Sequence, residues 1–192
     1  MKKLKLSLVA VAACALLAAG LTLVGCSSAP DPKEAIEKDL TVQLESITNP
    51  SQEDIDDMVA SLGSYEEVAT FGIDGVAYMN SLLDGFAYAI DSIDVAEDGK
   101  TATANVTVTC KSVDSAIAKM QEITDSWVAE NLESIATMTE DEINLKTGEL
   151  LMQAVDECDM TTSQIQFDYS LVDNAWTIDE NAEDRLLNAF YA

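Results

Sequence analysis

The chain has 192 residues, of which 35 are Asp or Glu, 10 are Lys or Arg, and none is histidine. A net charge of −25 repels nucleic-acid phosphate and anionic lipid surfaces, so neither is an expected partner, and solubility is the plain use of so much acid. The missing imidazole removes Ser–His and Cys–His nucleophiles, histidine general bases and histidine metal ligands together.

Lys2, Lys3 and Lys5 open the chain, and an apolar run follows from Leu6 to Gly25, broken by Ser7 and Thr22. This is the layout of an export signal. At ~1.5 Å per residue the run could also cross a ~30 Å hydrocarbon core, so an uncut transmembrane anchor is the alternative. The end of the run bears on the choice. Leu23-Val24-Gly25-Cys26 resembles the lipobox of bacterial lipoproteins, and that resemblance implies acylation of the Cys26 thiol and cleavage just before it. A diacylglyceryl group supplies the two chains that stable anchoring takes. The expected partner is therefore the membrane, through lipid on Cys26, with the protein on the extracytoplasmic face. The chain beyond Gly25 keeps all 35 acidic residues but only seven of the ten basic ones.

Residues 26–32 form a polar tether with two prolines, and folding is expected from residue 33 onward. Asp31-Pro32-Lys33-Glu34 carries an N-cap, an N1 proline and an N3 glutamate, which together start a helix. Ile36, Leu40, Leu44 and Ile47 then recur at helical spacing. Asn49-Pro50-Ser51 starts a second helix, with Ile55, Met58, Val59 and Leu62 on one face and Gly63 as its stop. From Tyr65 to Phe86 the glycines predict a short helix, a turn over Gly72 to Asp74, and another helix over Val76 to Leu83.

The period then changes from helix to strand. Ala102, Ala104, Val106, Val108 and Cys110 alternate with polar residues, the pattern of a half-buried strand, and Tyr88 to Val95 is its partner across Asp98-Gly99. The Asp94–Asn105 stretch places Gly99 where a calcium loop has its glycine, but Ala96 and Asn105 stand where ligands are required. Asp114 to about Ile135 and Glu140 to Asp156 read as helices, the second opened by the capping box Thr139-Glu140-Asp141-Glu142. A second hairpin alternates through Ile165, Phe167, Tyr169 and Leu171, turns at Asp173-Asn174 and returns through Trp176 and Ile178. Asn181 to Tyr191 closes the chain as a helix.

The order of elements predicts an α+β fold: a curved antiparallel sheet packed against N-terminal helices, with a helical insert between two hairpins. The stretches "LLDGFAYAIDSIDVAEDGKTATANVTVTCKS" and "FDYSLVDNAWTIDE" resemble bacterial lipoproteins that carry nuclear-transport-factor-like, cystatin-like cone domains of uncharacterised function. The resemblance covers roughly residues 33–190. It implies one cone-like domain over 33–192, behind a signal peptide at 1–25 and the lipidated tether.

Four observations bear on chemistry. Cys110 and Cys158 are an even pair in an oxidising compartment, which suggests one disulfide; two separate buried thiols are the alternative. No phosphate loop and no dinucleotide fingerprint is present, so no cofactor is expected. Asp91 and Asp168 lie in strands, and alternation turns Asp168 to solvent, away from Phe167 and Tyr169. The aromatics Tyr88, Trp127, Phe167, Tyr169 and Trp176 are either core or the lining of a cavity, with Tyr88, Phe167, Tyr169 and Trp176 the candidates for ligand contact. The expected function is a membrane-anchored, non-catalytic module that binds a small molecule, a peptide or an envelope protein. A carboxylate-dependent hydrolase or isomerase on the same fold is the alternative, and would need an Asp or Glu buried among the aromatics.

Overall fold

The computed structural model describes residues 31–61 and 70–191. The expected export signal, Cys26 and the expected tether as far as Pro30 lie outside these residues, as do Leu62, Gly63 and the short helix expected from Tyr65. The first helix, α1 (Pro32–Thr48), starts at the expected N1 proline, with Asp31 Oδ1 accepting from the backbone N–H of Lys33 at 2.9 Å. It buries Ile36, Leu40, Leu44 and Ile47 along one face. Next, α2 (Gln52–Ser61) comes after a turn in which Asp54 accepts from both the backbone N–H and the hydroxyl of Ser51, at 2.8 and 2.6 Å. Those bonds hold the Asp54 carboxyl below its usual range. Gly72 turns the chain with φ +69°, and α3 (Gly75–Leu83) is capped by Asp74, which accepts from Ala77 N at 2.9 Å.

Four strands form one antiparallel sheet in chain order: β1 (Ala87–Val95), β2 (Thr101–Lys111), β3 (Met160–Val172) and β4 (Ala175–Ile178). The β1–β2 turn uses Gly99 at φ +66°, and the β3–β4 turn places Asp173 and Asn174 at φ 50° and 63°. Two successive positive φ values give the twist-matched two-residue hairpin, and Asx residues tolerate it best after glycine. β3 begins five residues ahead of the alternation first visible at Ile165. Met160 to Gln164 pair with β2 all the same, but Thr161 to Gln164 are polar on both faces of the sheet and so carry no period-2 signal.

The concave face carries the core. Ala104, Val106 and Val108 are fully buried there, with Ile165, Phe167 and Tyr169 beside them. β1 holds Tyr88 and Ile90 on this face and then slips register between Ile90 and Ser92. That bulge brings Ile93 and Val95 back to the same face, which strict alternation from Ile90 would have denied to them. Each large aliphatic side chain buried here stabilises by about 1.5–3 kcal/mol. The opposite face is a polar ladder in which Thr103 donates to Asp168, Asn105 to Ser92 and Thr107 to Asp91, at 3.2, 2.9 and 2.7 Å.

Between the hairpins run α4 (Val113–Ile135) and α5 (Glu140–Glu157), and α6 (Ala182–Tyr191) ends the described chain. Ser112 caps α4 through Ser115 N at 3.1 Å, while Thr139 and Glu142 form the expected capping box of α5. Lys111, 5% exposed, donates to Ser81 O at 2.8 Å and ties the end of β2 to α3. α6 packs on the sheet through Ala189 and Phe190, whose ring stacks on Phe86 at 5.9 Å. The fold is thus the α+β arrangement expected, with its helical insert between the hairpins.

Candidate functional site

β4 is only four residues long, and a gap opens where the chain leaves the sheet. After Ile178 the chain is pinned: Asp179 N donates to Asp168 O at 2.8 Å, and Asp179 Oδ1 accepts from Asn181 N at 2.8 Å. Ala182 N then donates to Asp179 O at 3.1 Å. This tight corner launches α6 and leaves a cleft of ≈ 340 Å³ between α1, the β3–β4 hairpin and the start of α6. α1 contributes Leu40, Gln43, Leu44 and Ile47 to its wall, and the sheet contributes Phe167, Thr177 and Ile178. The corner and α6 add Asp179, Glu180, Ala182, Glu183 and Leu186. The size falls within the range of small-molecule sites, as does the lining, mostly apolar with a few polar groups.

Asp179, at the mouth, is held in its charged form. The two hydrogen bonds from Asn181, backbone first, hold Asp179 below the usual carboxylate range, with the Arg185 guanidinium adding to the effect. At the inner side of α1, Tyr169 donates its hydroxyl to Asp39 Oδ2 at 2.8 Å, and Gln43 Nε2 donates to the same oxygen at 2.8 Å. Gln43 therefore belongs both to this buried polar group and to the cleft wall.

Of the four aromatics expected at a ligand, Phe167 alone is among the residues lining this cleft. Tyr169 is 1% exposed, and its polar tip, expected to orient a guest, is bound to Asp39 instead. Tyr88 and Trp176 are half-buried and pack against the core. Tyr88 stands on β1, at the far edge of the sheet from β4, and Trp176 pairs with Leu171 near the hairpin turn. Trp127 is on the helical insert, where Lys146 Nζ lies 5.7 Å from its ring centre.

Asp168 is on the outer face as alternation required, ion-paired with Arg185 at 2.8 Å. Hydrogen bonding from Gln166, together with Arg185 and Thr103, holds its carboxyl below the usual range. Arg185 also donates to Gln166 O at 2.6 Å, so α6 covers part of the β3 edge that β4 is too short to pair. The α1 wall and the 179–183 corner line the cleft, and the sequence pattern does not single them out. Leu40, Leu44 and Ile47 have the spacing of core residues, and nothing in that spacing separates a side chain facing the sheet from one facing a gap.

Cys110 and Cys158 are buried free thiols, not the bridge that an even pair suggested. Cys110 Sγ points to Ala189 O at 3.5 Å and Cys158 Sγ back to Val155 O at 3.4 Å. Burial pushes both thiols above their ordinary pKa, which suppresses the thiolate that disulfide formation needs. Among the described residues no group of three or more Cys, Asp or Glu is placed to hold a metal ion. None of the described helices is long and apolar enough to cross a membrane.

No protein family and no curated protein matches the chain. Among solved structures, that of a candidate lipoprotein (ycdA) from Bacillus subtilis resembles it, with a TM-score of 0.48 at 12% identity. The alignment covers 83% of this chain and 56% of that one, so the chain spans little more than half the length of that protein.

Proposed function

We propose that this protein is an extracytoplasmic lipoprotein, anchored through Cys26, whose folded domain binds a ligand in the cleft between α1, β4 and α6 without chemically changing it. The cleft carries the binding part of the reading: a mostly apolar hollow at the end of a curved sheet, of ligand size and bordered by charged groups. Leu23-Val24-Gly25-Cys26 supports the anchor, and α1 starting at Pro32 leaves six steps from Cys26, at most about 20 Å of chain. A bound molecule would therefore be held close to the membrane surface. A thermal-shift screen of small molecules and envelope peptides tests the binding, with Tm rising as RT ln(1 + [L]/Kd) for any that bind. Tagged fatty acid tests the anchor: label should enter the wild type and be lost in Cys26→Ser, and undiminished label in that variant would refute it.

A second reading has its own observation. Asp39, half-buried and not among the residues that line the cleft, is hydrogen-bonded to the buried Tyr169 and to Gln43, which does line it; it is the carboxylate through which a carboxylate-dependent hydrolase or isomerase would have to work. Turnover of a cleft ligand that disappears in Asp39→Asn would establish this reading in place of simple binding.

A further inference from the structure

The cleft joins an apolar floor to a mouth of one charge sign. Leu40, Leu44, Phe167, Ile178 and Leu186 form the floor, while Asp179, Glu180 and Glu183 all stand at the corner where β4 passes into α6. The ion pairs among the described residues are Lys119–Glu122, Lys146–Glu149 and Arg185–Asp168, and none of them involves Glu180 or Glu183. Arg185, the basic residue of α6, is committed to Asp168 and Gln166 O. Nor can the rest of the protein supply many cations, with ten basic residues against 35 acidic ones.

A guest in this cleft must therefore satisfy two demands at once. Its body gains by leaving water for the apolar floor, at about 25 cal/mol per Å². An anionic head would meet like charges at the mouth, a neutral head would gain no Coulomb energy there, and a cationic head would be drawn to Glu180 and Glu183, which are in none of the ion pairs among the described residues. The volume of ≈ 340 Å³ suits one small molecule and is too short a trough for a helix laid on its side. We propose that the cleft takes a small cationic amphiphile, with its apolar body against Leu44, Phe167 and Ile178 and an ammonium or guanidinium group beside the carboxylates of Glu180 and Glu183. This rests on the binding reading above and adds the charge of the ligand to it.

Three probes of equal tail separate the two claims. Octylamine, octanol and octanoate, each below its aggregation concentration, are titrated into the protein at low salt while the methyl resonances of Leu44 and Ile178 are followed. Octylamine should bind about fivefold more tightly than octanol, the size of one or two exposed charge pairs, with octanoate weakest. Its advantage over octanol should shrink as NaCl is raised and largely disappear in the double variant Glu180→Gln/Glu183→Gln. Equal binding of octylamine and octanol, or tightest binding of octanoate, would overturn the cationic assignment and leave the binding site standing. Failure of all three to shift either methyl would overturn the site itself.

Discussion

Gly148 lies in the middle of α5, where glycine ordinarily weakens a helix by about 1 kcal/mol relative to alanine. Here the usual sign reverses. A Cβ at this position would stand 2.0 Å from the backbone oxygen of Phe71 and 3.2 Å from Ile73 Cγ1, and backbone cannot swing aside as the end of a long side chain can. Gly148→Ala should therefore destabilise the protein by about 2 kcal/mol or more, as overpacking does. A urea titration checks this, and an unchanged or raised midpoint would show that α5 does not press on the 71–73 segment. The two cysteines make a second prediction at this scale. Non-reduced protein, unfolded in guanidinium with an alkylating agent, should take up two labels, at Cys110 and Cys158, in the form cleaved before Cys26. A mass lacking both labels would mean that the bridge forms after all. Sequence spacing made a bridge plausible by bringing a strand end and a strand start together, but only the fold shows each Sγ turned to a carbonyl of its own neighbourhood.

At the scale of elements, the first helix of the insert differs from the other described helices. α4 buries Ala116 alone among its 23 residues, and Ile117, Val128 and Leu132 on it are exposed at 59, 37 and 65%. Asn131 departs from helical geometry at φ −124°, its side chain donating to Trp127 O at 2.8 Å. A helix that buries so little of itself depends on local propensity and on its seam with α5, and that is the condition for sub-global opening. Hydrogen exchange should therefore run orders of magnitude faster over residues 120–135 than over Ala104–Val108, where Ala104, Val106 and Val108 are fully buried. Equal protection across both would mean that the insert folds as one unit with the sheet. Elements with strong local signals were legible in the sequence: the Asp31-Pro32 start, the Thr139–Glu142 capping box, the Asp173-Asn174 turn and the alternation of β2. The β1 bulge, the early start of β3 and the binding cleft were not. Each arises from pairing or packing between segments far apart in the chain, and no local pattern encodes it.

The whole molecule is held against its own charge. The chain beyond Gly25 carries 35 acidic residues against seven basic ones, a net −28; that charge repels itself most strongly in the compact state, and the described residues set only three ion pairs against it. Acid acts on this balance in two directions. Asp54, Glu142, Asp168 and Asp179 have carboxyls held below their ordinary range, chiefly by hydrogen bonds. Their contribution is complete above the unfolded carboxylate value of about 4 and is lost as pH falls through the lower folded values. Protonating the many other carboxylates relieves repulsion over the same window, so a pH titration alone mixes the two effects. Salt at neutral pH separates them, because it screens without protonating. At 0.1 M the Debye length is about 10 Å, short enough to mute repulsion across the domain while leaving a 2.8 Å contact such as Arg185–Asp168 largely intact. Raising NaCl from about 10 to about 150 mM at pH 7 should therefore increase Tm, by about 2–4 °C if screening recovers roughly 1 kcal/mol. The same titration on Arg185→Gln, which deletes one of the three pairs, should show a rise at least as large. A fall in Tm with salt in the wild type would mean that attraction between paired charges outweighs the repulsion that the composition predicts.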